Sequence, residues 1–182
     1  LEKDEYSHAP DADPDWQESV VLFAWAPEQK CYFFLRIGHE PNFGPDGMTV
    51  VYSNIWADGM FYRNCIELPF SPGHRFAGGC SGGPTLRYEY DGKRDGNHRW
   101  TVRDRDVSAD LVMQDYMPAF DFFPSDHNLG EVAPHHIEAV GYLSGTVVIK
   151  GRTFHLEKAF GHRDRSWGTR KWETIRGHRW GP

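Results

Sequence analysis

Residues 160 to 170 read FGHRDRSWGTR and place a His, an Asp, a Ser, three Arg and a Trp between two glycines. The chemistry such a cluster can offer is acid–base. Burial raises the pKa of a carboxyl group and favours its protonated form, whereas a neighbouring arginine opposes that shift. Asp164 is therefore the candidate acid and His162 the candidate base or orienting group. The same residues also fit a structural corner in which Asp164 pairs with Arg163, Arg165 or Arg170 around Gly168. Ser166 lacks the Gly-x-Ser-x-Gly setting of an activated nucleophile and reads as a turn hydrogen-bonder.

Upstream, His136-x-Glu138 puts two metal-competent side chains on one face of a strand, but no third ligand is identifiable, so no metal is expected. No glycine-rich dinucleotide or phosphate-binding fingerprint occurs, so no cofactor is expected either. His74, His98 and His127 sit among Gly, Asp and Asn and read as exposed loop residues.

The elements that must position these groups are strands. Seven Trp, twelve Phe and eight Tyr, with nineteen Gly and twelve Pro in 182 residues, favour strands and turns over helices. After a Pro- and Asp-rich lead-in over 1–18, one domain is expected over 19–182. Two apolar-aromatic runs, 19–27 and 30–38, form a first hairpin, and Asp58-Gly59 marks a second. The glycine-rich stretch 71–84 reads as a loop or distorted edge, followed by two alternating strands. Residues 111–134 give one strand and a long Phe- and Pro-rich connection of the kind that covers a site.

The last hairpin turns at Lys150-Gly151. A two-residue loop pairs Ile149 with Arg152 and Val147 with Phe154, then Leu143 with Lys158, Ala139 with His162 and Ile137 with Asp164. In that register Leu143, Val147, Ile149, Phe154, Leu156 and Phe160 form an inward stripe ending in His162 and Asp164, while Glu138 faces Arg163 on the other side. A single β-bulge reverses these faces. The fold class expected is all-β, an antiparallel sheet curled into a barrel.

A formal net charge of −6 opposes a general affinity for nucleic acid or anionic lipid. The local basic run Arg163, Arg165, Arg170, Lys171, Arg176 and Arg179 is interleaved with Trp and Gly, unlike a solvated polybasic tail. Cys31, Cys65 and Cys80 form no C-x-x-C pair, and no apolar run reaches the roughly 20 residues that span a bilayer. A cytoplasmic protein without a membrane partner is expected.

The run HIEAVGYLSGTVVIKGRTFHLEKAFGHRDRSWGTR resembles the H-x-E, hairpin, G-[HQ]-R-D-[HR]-S-W-G-x-R pattern of the lipocalin-like (calycin) proteins related to AttH and carotenoid 1,2-hydratase. The start, HAPDADPDWQESVVLFAW followed by CYFFLRIGHEPN, is similar to the same proteins. The resemblance implies a lipocalin-like barrel, either the first of two in tandem or a one-barrel version, and a cofactor-independent hydratase or related lyase or isomerase acting on a small apolar, terpenoid-like molecule. Its alternative is a non-catalytic carrier of such a ligand. On that reading Asp164 and His162 are catalytic, and Trp167, Tyr142, Phe160, His136 and Glu138 contact substrate, with Trp167 or Tyr142 facing a developing carbocation. An unpaired edge near Lys171 to Trp180 would invite a second barrel or another copy of the chain, giving a homodimer.

Overall fold

The computed structural model describes residues 2–92, 96–123, 130 and 132–174. Twelve strands alternate with tight turns: β1 (Trp16–Ala26), β2 (Cys31–Glu40), β3 (Met48–Ala57), β4 (Met60–Pro69), β5 (Arg75–Phe76), β6 (Gly79–Gly82), β7 (Leu86–Tyr90), β8 (Asn97–Asp104), β9 (Val107–Asp115), β10 (Phe120–Asp121), β11 (His135–Ile149) and β12 (Arg152–Thr169). They form one antiparallel sheet in the order β4-β3-β2-β1-β12-β11-β9-β8-β7-β6-β5, with β10 added beside β11. Asp58-Gly59 and Lys150-Gly151 have positive φ at both positions, as two-residue hairpin turns require.

The sheet curls into a half-barrel around one apolar face. Leu22, Leu35, Ile55, Trp100, Leu111 and Leu143 come from six strands yet are all fully buried in the same cluster. The curl brings β6 onto β2 and β3, where His39 Nε2 lies 3.1 Å from the Ser81 carbonyl. Gly82 meets Val51 so closely that a Cβ would collide with the valine. Among the described residues no helix is long and apolar enough to cross a membrane.

The β11–β12 hairpin departs from the simple register at one point. Ile149 pairs with Arg152 and Val147 with Phe154, but beyond Gly145 the ladder shifts, so that Leu143 pairs with Ala159, Ala139 with Arg163 and Ile137 with Arg165. The extra residue is accommodated near Lys158, which takes φ +52° and donates its N–H to Ser144 Oγ at 3.0 Å. Since side chains alternate with period two, one added residue inverts every later assignment on β12. The expected partners of Leu143, Ala139 and Ile137 are thus each off by one. Glu138 faces Asp164 rather than Arg163.

The faces are corrected with the register. Arg163 and Arg165, expected outside, continue the core face and are buried to 2% exposure. His162 and Asp164, expected at the end of the apolar stripe, lie on the opposite face. His98 is likewise no loop residue: it is buried on β8, with Nδ1 2.8 Å from Tyr88 Oη. His74 closes a 3₁₀ turn and sits 3.2 Å from Thr49 Oγ1. Of the edge expected from Lys171 to Trp180, Trp172–Thr174 is a 3₁₀ turn and residues 175–180 lie outside the described residues. The expectations placed on His127, Arg176 and Arg179 lie outside the described residues.

The two buried arginines hold the lead-in. Arg163 reaches Glu5 at 2.6 Å and Asp115 at 2.7 Å, and Arg165 pairs with Glu18 at 2.9 Å while donating to the carbonyls of Asp4 and Tyr6. The chain start therefore plugs one end of the half-barrel. Half of the R-D-R-S-W-G motif is architecture.

Candidate active site

The other half of the motif opens on a different compartment. On the sheet face opposite the core, a cavity of about 840 Å³ is floored by alternate residues of β1, β2, β3, β11 and β12. Its rim comes from the lead-in at Pro14 and Asp15, from Phe43, from the connection around β10 at Phe122, Val132 and Ala133, and from Arg170 and Trp172. The described ends of the long connection thus contribute to the rim of the site. Val21, Met48 and Val50 give the floor an apolar part.

The polar part is a single chain of contacts. Arg170 Nη2 donates to Ser166 Oγ at 2.8 Å, and Ser166 lies 3.3 Å from Asp164 Oδ1. Asp164 Oδ2 is 2.5 Å from His136 Nε2, which is also 3.0 Å from Glu138 Oε1; Glu138 Oε2 is 3.3 Å from His162 Nε2. Neither carboxylate contact of His136 has linear hydrogen-bond geometry, so its attraction there is chiefly ionic. The imidazole also stacks on Phe122 at 4.7 Å.

Burial by itself would disfavour a charged His136, but the carboxylates of Asp164 and Glu138 outweigh it and push the pKa up to about 9. Burial likewise opposes ionisation of Glu138, and His136 and His162 reverse that, holding it down at about 2. At neutral pH the centre is therefore an imidazolium between carboxylates. The donor atoms of His136, Glu138 and Asp164 lie within 4.8 Å of one another, close enough to share a cation. Asp164 is thus the third donor that the His136-x-Glu138 pair lacks in the sequence. The imidazolium itself already supplies positive charge between the two carboxylates.

Of the residues singled out in the sequence, Asp164, His136 and Glu138 line this cavity. His162 joins them through Glu138 without lining it. Trp167 does not: it is on the core face, stacked between His8 at 3.8 Å and His135 at 5.3 Å. Tyr142 and Phe160 are cross-strand neighbours on the cavity's side of the sheet, but farther along the strands and off its lining. Tyr142 is exposed against Tyr116, and Phe160 meets Trp25 edge-on at 5.1 Å. The bulge and the strand length, not residue type, separate these three from the site.

Sequence reasoning missed Arg36 and Glu40 as cavity residues. The visible signal was an arginine in the middle of the apolar run FFLRIG, followed two residues later by a glycine.

A family model described as a domain of unknown function, DUF7064, matches residues 1–182. No curated protein sequence matches the chain. The fold is similar to the crystal structure of a Nitrosomonas europaea protein given the name AttH, with a TM-score of 0.69 and 13% identity over 93% of this chain. The chain spans 55% of that structure.

Proposed function

The chain belongs to the DUF7064 family, and we propose that it binds a small, largely apolar molecule in this cavity and moves a proton to or from it without a cofactor. The reaction class is addition or removal of water, or isomerisation, as the resemblance to hydratases implies. The observation that carries this reading is the His136 imidazole held 2.5 Å from Asp164 and 3.0 Å from Glu138 in a cavity wall. A carrier has no need of such a group. Four ionisable side chains gathered at an apolar wall incur a desolvation cost that packing alone does not explain, and perturbed pairs of this kind cluster at catalytic sites.

The roles divide by contact. The acid is the His136–Asp164 pair: His136 bears the proton, and Asp164, fixed by Ser166, orients the ring. The acceptor is the Glu138–His162 pair, with Glu138 facing the cavity and His162 behind it. Asp164 and His162 thus keep the acid and base sides assigned to them in the sequence, but each works through a neighbour. The apolar floor limits water at the reacting centre, which strengthens the electrostatic grip on a developing cation.

The test is carbon deuteration. The full chain is incubated in D2O with a panel of terpenoid alkenes and the corresponding tertiary alcohols, and products are read by mass spectrometry. Deuterium incorporation that falls by about 10²–10⁴-fold in His136→Gln, assayed well below the melting temperature of the variant, is the expected result. Panel members that bind while none acquires deuterium would identify a carrier. A divalent cation that stabilises wild type but not His136→Gln would instead make the cluster a metal centre.

A further inference from the structure

We infer that the molecule bound in the cavity carries a carboxylate, seated between the guanidinium groups of Arg36 and Arg170; this rests on reading the cavity as a small-molecule site. The assignment starts from a contrast among arginines that are buried or half-buried. Arg163, Arg165 and Arg75 are each paired directly with a carboxylate, on Glu5 and Asp115 for the first and Glu18 for the other two. Arg36 and Arg170 both line the cavity, and neither forms an ion pair with any described residue.

Arg36 makes no hydrogen bond to a described residue either. Its guanidinium lies 5.6 Å from the centre of the Tyr52 ring and folds back over Gly38, where a Cβ would come within 2.7 Å of Nη1 and Nη2. The bare glycine leaves the space in which the guanidinium rests. Arg170 is 6% exposed; Nη2 is used on Ser166, Nε has no partner, and its Cζ lies 5.6 Å from the Trp172 ring centre. A guanidinium stays protonated in proteins, so Arg170, buried with an unused N–H, bears a desolvation cost that an incoming anion offsets, and the half-buried Arg36 adds free N–H groups on the same lining.

The electrostatics point the same way. Burial lowers the pKa of both arginines, and Arg36 adds to the lowering at Arg170, which is pushed down to about 10. Glu40 is close enough to affect both yet pairs with neither, and burial pushes its carboxyl up. Planar guanidinium forks match a carboxylate in shape and charge. Asp15, Glu40 and Glu67 on the same lining would repel a second negative charge, which favours a monoanion over a phosphate. Val21, Met48 and Val50 accept the apolar remainder, and Asp164 influences both arginines, so the seat and the acid share one floor.

The experiment titrates the full chain with octanoate, 1-octanol and octyl phosphate by calorimetry. Octanoate is expected to bind more tightly than octanol by on the order of 10- to 100-fold, the range of a charge-assisted contact. Arg36→Gln and Arg170→Gln should each remove most of that preference. Gly38→Ala keeps every charge but displaces the Arg36 guanidinium, and should also weaken octanoate while the fold melts normally. Equal binding of octanoate and octanol by wild type overturns the carboxylate seat and leaves the cavity reading standing. A preference that survives both arginine variants, or tighter binding of octyl phosphate, also overturns the seat. Binding of none of the three counts against the small-molecule site itself.

Discussion

Glu138 and Asp164 stand directly opposite each other on β11 and β12. Two facing carboxylates repel, and such a pair is held by a cation between them or by a shared proton. His136 is that cation, two residues before Glu138 on the same face, which couples the protonation of the site to the stability of the hairpin.

Stability should therefore depend on pH in a defined direction. The folded pKa of His136, about 9, lies above its ordinary 6.5, so its contribution is complete below about pH 6.5 and is lost as pH rises through 9. Glu138 is depressed from 4.5 to about 2, so its contribution is complete above about pH 4.5 and is lost as pH falls towards 2. The stability gap between wild type and His136→Asn, measured by urea denaturation, should be widest between pH 4.5 and 6.5 and shrink towards pH 9. A gap that stays constant from pH 6 to 10 would mean that the imidazolium does not hold the carboxylates together.

The arginines of the motif should behave differently from its aspartate. Arg163→Met leaves Glu5 and the chain start without their main anchor and should lower stability by about 3–5 kcal/mol, the cost of breaking a buried pair. Asp164→Asn should cost much less, because Ser166 can still hydrogen-bond the amide and Glu138 still faces His136. Denaturation curves separate the two. Equal losses would mean that the two faces of β12 are not independent.

Two glycines on the hairpin make a paired test of packing. A Cβ at Gly141 would run into the backbone of β9 at Gln114, whereas one at Gly161 meets only the Met113 side chain, at 3.1 Å and beyond. Gly141→Ala should destabilise by roughly 1–3 kcal/mol and Gly161→Ala by less than about 1 kcal/mol. Thermal melts decide it, and the reverse order would place the strands differently.

Much of this was readable from residue patterns. The hairpins at Asp58-Gly59 and Lys150-Gly151, the connection at the rim and the curled antiparallel sheet follow from turn chemistry and alternation, which are local. The pairing of Ile149 with Arg152 was legible for the same reason. The partner of Glu138 was not, because the bulge near Lys158 arises from a lysine at positive φ and a serine across the strand, neither of which is a bulge signature. His98 looked like a loop residue because glycine and aspartate precede it, but its burial depends on Tyr88 and Asp115 in other strands. Arg36 was hidden by its apolar neighbours. Its lack of a partner is a property of the assembled cavity.

The bulge also constrains how this segment can change. Along 163–166 successive residues serve two compartments in turn: Arg163 and Arg165 bind the chain start, Asp164 and Ser166 face the cavity. A one-residue insertion or deletion between the hairpin turn and the motif would exchange the two sets and bury Asp164 among the plug residues. Drift in strand length here is therefore confined to even steps, and β12 carries a reading frame of period two.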